Sequence, residues 1–248
     1  MNRFDIITIF PHIFDSYLKE SLVRRAQAKK IIDVKIHNLR DFTDDKHKKV
    51  DDRVFGGGPG MVLQVGPIYR AVQHLKAKSS KLKARTILFS TRGKKLDSKT
   101  AKRLSKYDRL ILICGRYEGV DERVAKYVAD EEISIGDYVL SGGELPALVL
   151  IESVSRFLPG FLGKSESLEE IKGSYPVYTR PEVFTPSPFS SLSHFSSSLI
   201  RANRRIGKHG KFASSTALFL TRRQLTVPKV LLSGDHKKIE EWRKKFSK

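Results

Sequence analysis

The sequence lacks most features of a secreted, membrane-bound or thiol-dependent protein. One cysteine, Cys114, stands among 248 residues, which excludes an internal disulfide framework and a cysteine-rich zinc site. Long apolar runs are missing as well. The longest aliphatic stretches, Leu110–Cys114 and Ala147–Ile151, are five residues each, whereas a bilayer crossing needs about 20. The N-terminus places Asp5 among Phe4, Ile6 and Ile7 and lacks the basic stretch and apolar core of a secretory signal. No membrane partner is expected, and the reading is a cytoplasmic protein.

Acid is also scarce. Forty-seven Lys and Arg face 27 Asp and Glu, for a net charge of +20. Such a field attracts phosphate backbones and steers association with them. No basic amphipathic helix of the membrane-surface type stands out, so nucleic acid is favoured as partner over an anionic membrane or a merely solvated surface. Hydrophobic residues make up 40% of the chain, enough for one sizeable core.

Short apolar runs alternate with helical patterns over the first two thirds of the chain. Phe4–Phe10, Ile31–Ile36, Thr86–Ser90, Leu110–Cys114 and Glu131–Ile135 read as apolar, strand-like runs. Between them, Pro67 opens a helix carrying Ile68, Ala71, Val72 and Leu75 at helical spacing. Asp97 or Ser98 can cap a helix to Lys106, and Asp121–Val128 reads as a further helix. Glu144–Leu158 places Ala147, Leu150, Ile151, Val154 and Leu158 on one face, and Pro159-Gly160 ends it. Alternating strands and helices imply a mostly parallel α/β sheet covered on both faces. Pro186–Gln224 differs, with nine serines, seven Lys or Arg and no acid; it reads as a basic insertion without core periodicity. Pro228–Leu232 then reads as a strand, and a short helix ends at Trp242–Phe246.

Four glycine-rich clusters lie where apolar runs end or charged loops turn. They are Gly56–Gly60, Ser90–Gly93, Cys114–Gly119 and Ser134–Gly143. In open parallel sheets, ligands bind at the carboxyl ends of strands. One cluster alone would be turn chemistry; three after successive strands point to a shared pocket. None has the Walker or dinucleotide glycine spacing, which argues against an ordinary ATP or NAD enzyme. The charged run Asp41–Arg53 precedes the triple glycine. It reads either as a solvated loop or as a substrate loop presenting His47, Asp51 and Arg53. Its acids can also offer oxygen ligands to magnesium, although no spacing fixes a geometry.

These segments carry a resemblance. Val50–Met61, Cys114–Arg123 and Ser134–Pro146, followed by Ser153–Arg156, Tyr178–Glu182 and Val230–His236, resemble the motifs of the bacterial tRNA (guanine-N1-)-methyltransferases, members of the SPOUT superfamily. The resemblance covers residues 1–185 and 226–246. It implies a parallel sheet with a deep trefoil knot that holds S-adenosylmethionine, and a homodimer with each active site between subunits. The implied reaction methylates guanine N1 at the guanosine immediately 3′ of the anticodon in tRNA. Transferred motif by motif, the cofactor residues are Ser90, Gly115, Tyr117, Glu118, Gly119, Ile135, Gly136, Asp137, Tyr138, Val139, Leu140, Gly142 and Gly143. His47, Asp51, Arg53 and Gly60 would contact substrate. Arg156 would stabilise charge developing on the guanine carbonyl oxygen, rather than simply pair with Glu152 one turn earlier. The rivals are another SPOUT methyltransferase, acting on a ribose hydroxyl or ribosomal RNA, and a non-catalytic RNA-binding relative.

On this reading residues 1–160 form the cofactor-binding domain and 161–185 a catalytic linker. Residues 186–224 are the insertion, and 225–248 a small, truncated tRNA-binding part. The family pattern is altered at three places: Thr91 replaces a proline, the insertion is foreign, and Glu166 before Ser167 fills the place of the catalytic aspartate. Guanine N1 carries a proton and needs a base before it becomes nucleophilic, whereas no covalent enzyme nucleophile is required. Glu169 and Glu170, in the same loop, remain alternatives to Glu166. If Glu166 is the base, Glu166→Gln slows single-turnover methyl transfer by roughly 10²–10⁴-fold and leaves cofactor and tRNA binding intact. A wild-type rate, with collapse in Glu169→Gln or Glu170→Gln, moves the base along the loop.

Overall fold

The computed structural model describes residues 1–77, 82–163, 173–185 and 224–247. The chain divides into two compact units, Met1–Ser167 and Leu168–Lys248. The first is built on five parallel strands: β1 (Asn2–Thr8), β2 (Ile32–Asn38), β5 (Ala84–Lys95), β6 (Arg109–Ile113) and β7 (Glu131–Ser134), in the order β2-β1-β6-β5-β7. A short antiparallel hairpin, β3 (Asp51–Arg53) with β4 (Met61–Leu63), stands apart from it.

The apolar runs are continuous because the sheet is buried on both faces. Successive side chains point to opposite faces, and the core divides accordingly. Phe4, Ile6, Leu110 and Leu112 pack with α2 (Ser21–Ala28), α4 (Ser98–Leu104) and α6 (Glu144–Ser155). Ile7, Ile111 and Ile113 pack on the other side with α3 (Val65–Ala77) and Val124 of α5 (Glu122–Tyr127). The expected elements are present with shifted ends. Pro11 opens a 3-10 turn, Pro11–Phe14, that leads into the single turn α1 (Asp15–Leu18). Asp97 caps α4, its carboxylate accepting from the Thr100 N–H at 2.7 Å. β5 outruns its expected end at Ser90. It breaks register after Phe89 and rejoins β7 at Lys94 and Lys95.

The second unit holds β8 (Val183–Phe184), paired antiparallel with β9 (Leu225–Thr226), then α7 (Lys229–Leu232) and α8 (His236–Phe246). The expected strand over Pro228–Leu232 is a helical turn instead. Short apolar runs cannot be assigned by periodicity, and here Pro228 caps a helix while Gly234 turns at φ +69°. Asp235 then caps α8, accepting from the Lys238 N–H at 3.2 Å. Trp242 of α8 stacks against Tyr178 and Phe246. The expected insertion leaves after β8 and returns at β9, adjacent paired strands, but residues 186–223 lie outside the described residues.

One polar group is enclosed in the sheet. Asp5 of β1 is 0% exposed and accepts from Arg109 Nε at 2.6 Å and from Arg3 Nε at 3.0 Å. His37 Nε2 lies 2.6 Å from its other oxygen. Arg109, itself buried, also donates to the Leu75 carbonyl at the end of α3. Burial alone would raise the Asp5 pKa; the His37 hydrogen bond, then the bonds and charge of Arg109 and the bond from Arg3, overcome it and hold it near 2 rather than 3.8. Because the folded value is depressed, this stabilisation is complete above pH 4 or so and is lost as pH falls towards about 2. Asp5→Asn strands the buried Arg109 charge and should destabilise the protein by about 3–5 kcal/mol at pH 7, measured by urea unfolding. The variant should also lack this share of the wild-type loss of stability between pH 4 and 2.

Candidate cofactor cavity

The carboxyl ends of β5, β6 and β7 surround a cavity of about 420 Å³, within the range of cofactor sites. Its walls are the segment after Phe89, the Gly115–Val120 turn and the run from Ile135 to Gly143, Asp137 excepted. The turn is tight. Gly119 N–H donates to the Arg116 carbonyl at 3.0 Å, and Tyr117 between them has φ +60°. β4 braces this turn through Glu118 N–H to the Met61 carbonyl and Leu63 N–H to the Gly119 carbonyl, each 3.0 Å. Gly143 N–H in turn donates to the Gly115 carbonyl at 3.0 Å, tying the last run to the end of β6.

Backbone crowding explains two of the glycines. A Cβ on Gly93 would lie 2.6 Å from the Glu132 carbonyl carbon and the Ile133 nitrogen, because the excursion after Phe89 passes directly over β7. At Gly142 a Cβ would lie 2.4 Å from Arg116 Nε and 2.6 Å from Glu144 Oε2. The glycine is required by the ion pair packed against it, not solely by close approach of a ligand.

Twelve of the thirteen expected cofactor residues line the cavity: Ser90, Gly115, Tyr117, Glu118, Gly119, Ile135, Gly136, Tyr138, Val139, Leu140, Gly142 and Gly143. Asp137 does not; it is exposed and pairs with Lys95. Gly60 sits beside the Glu118 side chain, so close that a Cβ would meet Glu118 Cγ at 2.5 Å. His47, Asp51 and Arg53 lie on the preceding loop and on β3, outside the cavity lining. Arg156 caps α6, also outside the lining. Its surface pairing with Glu152 does not form: among the described residues Arg156 has no ion pair, and Glu152 instead accepts from the Tyr17 hydroxyl at 3.2 Å. Glu166, with Glu169 and Glu170, lies outside the described residues. Among the described residues no group of three or more His, Cys, Asp or Glu is placed to hold a metal ion, and no helix is long and apolar enough to cross a membrane.

Sequence reasoning missed Arg92, Arg116, Glu122 and Glu132 of the lining. Arg92 donates to Glu122 at 2.6 Å across the cavity rim, a pairing between residues thirty positions apart that no local pattern announces. Arg116 was visible inside the Cys114–Gly119 cluster, but its partner, Glu144, read as an ordinary helix start. Cys114 is buried, and burial, with the Glu144 charge adding, pushes its thiol well above the ordinary value. It is no nucleophile, in line with chemistry that needs none.

The family described as tRNA (Guanine-1)-methyltransferase TrmD matches residues 2–209. The chain belongs to this family. It is 43% identical over 250 residues to the tRNA (guanine-N(1)-)-methyltransferase of Clostridioides difficile strain 630, covering 99% of this chain and 92% of that protein. It is 42% identical to the enzyme of the same name from Geotalea uraniireducens strain Rf4, covering 99% and 85%. Among solved structures, the tRNA (m1G37) methyltransferase from Aquifex aeolicus superposes with a TM-score of 0.69 at 38% identity, covering 97% of this chain and 87% of that one. Membership of a methyltransferase family makes an S-adenosylmethionine site the first hypothesis to test for this cavity. Gly142→Val, which drives a branched side chain into Arg116 and Glu144, should abolish S-adenosylmethionine binding in calorimetry while the parallel sheet remains folded by circular dichroism. Wild-type affinity in that variant would place the ligand elsewhere.

Proposed function

We propose that this chain transfers the methyl group of S-adenosylmethionine to guanine N1, at the guanosine immediately 3′ of the anticodon in tRNA. The observation that carries the proposal is the cavity at the ends of β5, β6 and β7, walled by the family's own motif residues. Its fit to the cofactor rests on its size and on five glycines in its walls, whose backbone can read an adenine edge through amides and carbonyls. When bound, S-adenosylmethionine supplies a sulfonium methyl for in-line displacement, so the enzyme's main task is alignment.

The protein's own groups divide that task. Ser90, Gly115, Tyr117, Glu118, Gly119, the run Ile135 to Leu140, Gly142 and Gly143 hold the cofactor, with Asp137 near the methyl donor. His47, Asp51, Arg53 and Gly60 face the tRNA. Arg156 offers a fixed positive charge to the guanine carbonyl oxygen, where negative charge grows as the N1 proton leaves. Glu166 accepts that proton. The site is completed in a cytoplasmic homodimer, and the chain's membership of this SPOUT family supports a deep trefoil knot. The residue boundaries 1–160, 161–185, 186–224 and 225–248 separate the catalytic part, linker, basic insertion and tRNA-binding part. The seven Lys and Arg of the insertion strengthen the salt-dependent attraction to tRNA.

Incubation with S-adenosylmethionine and unmodified tRNA tests the proposal, with the product nucleoside identified and mapped. The expected product is 1-methylguanosine next to the anticodon. A ribose-methylated product, or methylation of ribosomal RNA alone, would replace the proposal with a different methyltransferase activity. Absence of any S-adenosylmethionine binding would leave an RNA-binding protein.

A further inference from the structure

A charged pair lies directly behind the cavity wall. Glu144, the first residue of α6, is 1% exposed, and its Oε1 accepts from the Thr8 hydroxyl at 2.7 Å. Arg116 Nε lies 2.9 Å from the other oxygen, Oε2; the N–H does not point along that line, so the contact is an ion pair and not an aligned hydrogen bond. Arg116 also donates to the Ser141 carbonyl at 3.3 Å and covers the Phe10 ring at 4.8 Å. Thr8 accepts from the Phe10 N–H at 2.9 Å. The end of β1, the turn after β6, the run before α6 and α6 itself therefore meet at one buried carboxylate.

Glu144 does not line the cavity; Arg116 and Gly142 do. Without the pair, the Gly115 and Gly142 walls are joined at this point by the Gly143–Gly115 hydrogen bond and the isolated bridge between Arg116 and Gly142. A buried carboxylate is costly unless fully partnered, and apolar packing would hold these elements together at least as well. What the ion pair adds is a set charge-to-charge distance between the turn after β6 and the start of α6. We infer that Glu144 is a positioning residue for the methyl donor, acting through Arg116 to fix the spacing between the Gly115–Gly119 turn and the Ile135–Gly143 run. The inference rests on the function proposed above and assigns Glu144 no contact with substrate.

Glu144→Gln keeps the size and the Thr8 bond and removes the charge facing Arg116. Calorimetry with S-adenosylmethionine and steady-state kinetics with tRNA should show Kd and KM for S-adenosylmethionine rising about 10-fold or more, the scale of losing an outer-shell partner. At saturating S-adenosylmethionine, kcat and KM for tRNA should hold. Glu144→Asp should recover part of the affinity. Arg116→Gln should give a loss similar to Glu144→Gln, and the double variant should be no worse than either, because contacting residues that act as one unit are not additive. Each variant's unfolding midpoint is measured alongside. Should Glu144→Gln fail to fold, Thr8→Val, which removes only the hydroxyl link, and Arg116→Gln decide by the same split between the two substrates. Wild-type affinity for S-adenosylmethionine in a folded variant, or equal losses for cofactor and tRNA, overturns the inference. A wild-type protein that binds no S-adenosylmethionine overturns the proposed function instead, so the two failures are distinguishable.

Discussion

At the carboxyl edge of the sheet, backbone runs against backbone with no room for a side chain between. The bulge of β5 after Phe89 brings Gly93 against the backbone of β7, and Gly143 is hydrogen-bonded to Gly115 at the end of β6. Three strand ends that would otherwise splay apart with the sheet twist are thereby held against each other. Beside these contacts lies the cavity, whose lining mixes five glycines with larger residues such as Tyr117, Tyr138 and Leu140. Main chain exposed at the glycines can present amide donors and carbonyl acceptors in fixed places, which suits recognition of a planar, hydrogen-bonding ligand. Any residue that widens these contacts alters the cavity.

Two buried ion pairs occupy opposite ends of the same sheet, and their surroundings differ. Asp5 and Arg109 lie within β1 and β6, both side chains at most 1% exposed, and every element they touch belongs to the core. Their strength resists unfolding but positions nothing that a ligand meets. Glu144 is equally enclosed, while Arg116 is 19% exposed and borders the cavity. One pair joins strand to strand; the other joins the turn after β6 to the first residue of α6. A turn has less secondary structure to hold it, so a fixed electrostatic contact there has more geometric consequence.

The parallel sheet was legible because the inner strands β1, β5 and β6 carry apolar runs and the helices between them apolar stripes, patterns set by burial. The cavity was legible only in part. Glycine clusters after β5, β6 and β7 mark where chains approach closely, and motif resemblance named most of the lining. What crosses between distant segments was not legible: Arg92 with Glu122, Arg116 with Glu144, Asp5 with Arg109. None of these partners is named by the local sequence, and only the fold brings them within 3 Å or so. Asp5 is the clearest instance, since a lone acid inside an apolar strand signals a buried partner without identifying it. The strand expected at Pro228–Leu232 fails for the opposite reason. Three apolar residues, Val230–Leu232, shortly after a proline fit either conformation, and the following Gly234 and Asp235 fix a helix start that local hydrophobicity does not reveal.

Arg156 illustrates how an uncommitted charge differs from a structural one. The arginines that stabilise this fold are engaged: Arg109 with Asp5, Arg85 and Arg103 with Glu131, Arg123 with Asp121. Arg156 sits at the end of α6, where a cation interacts favourably with the helix dipole. Its nearest acid along the helix, Glu152, is already taken by Tyr17, and among the described residues Arg156 has no ion pair. A helix terminus held by the packing of Leu150, Ile151 and Val154 gives its root a rigid base. Among the described residues, engaging its guanidinium would break no ion pair, and this separates Arg156 from the structural arginines named above.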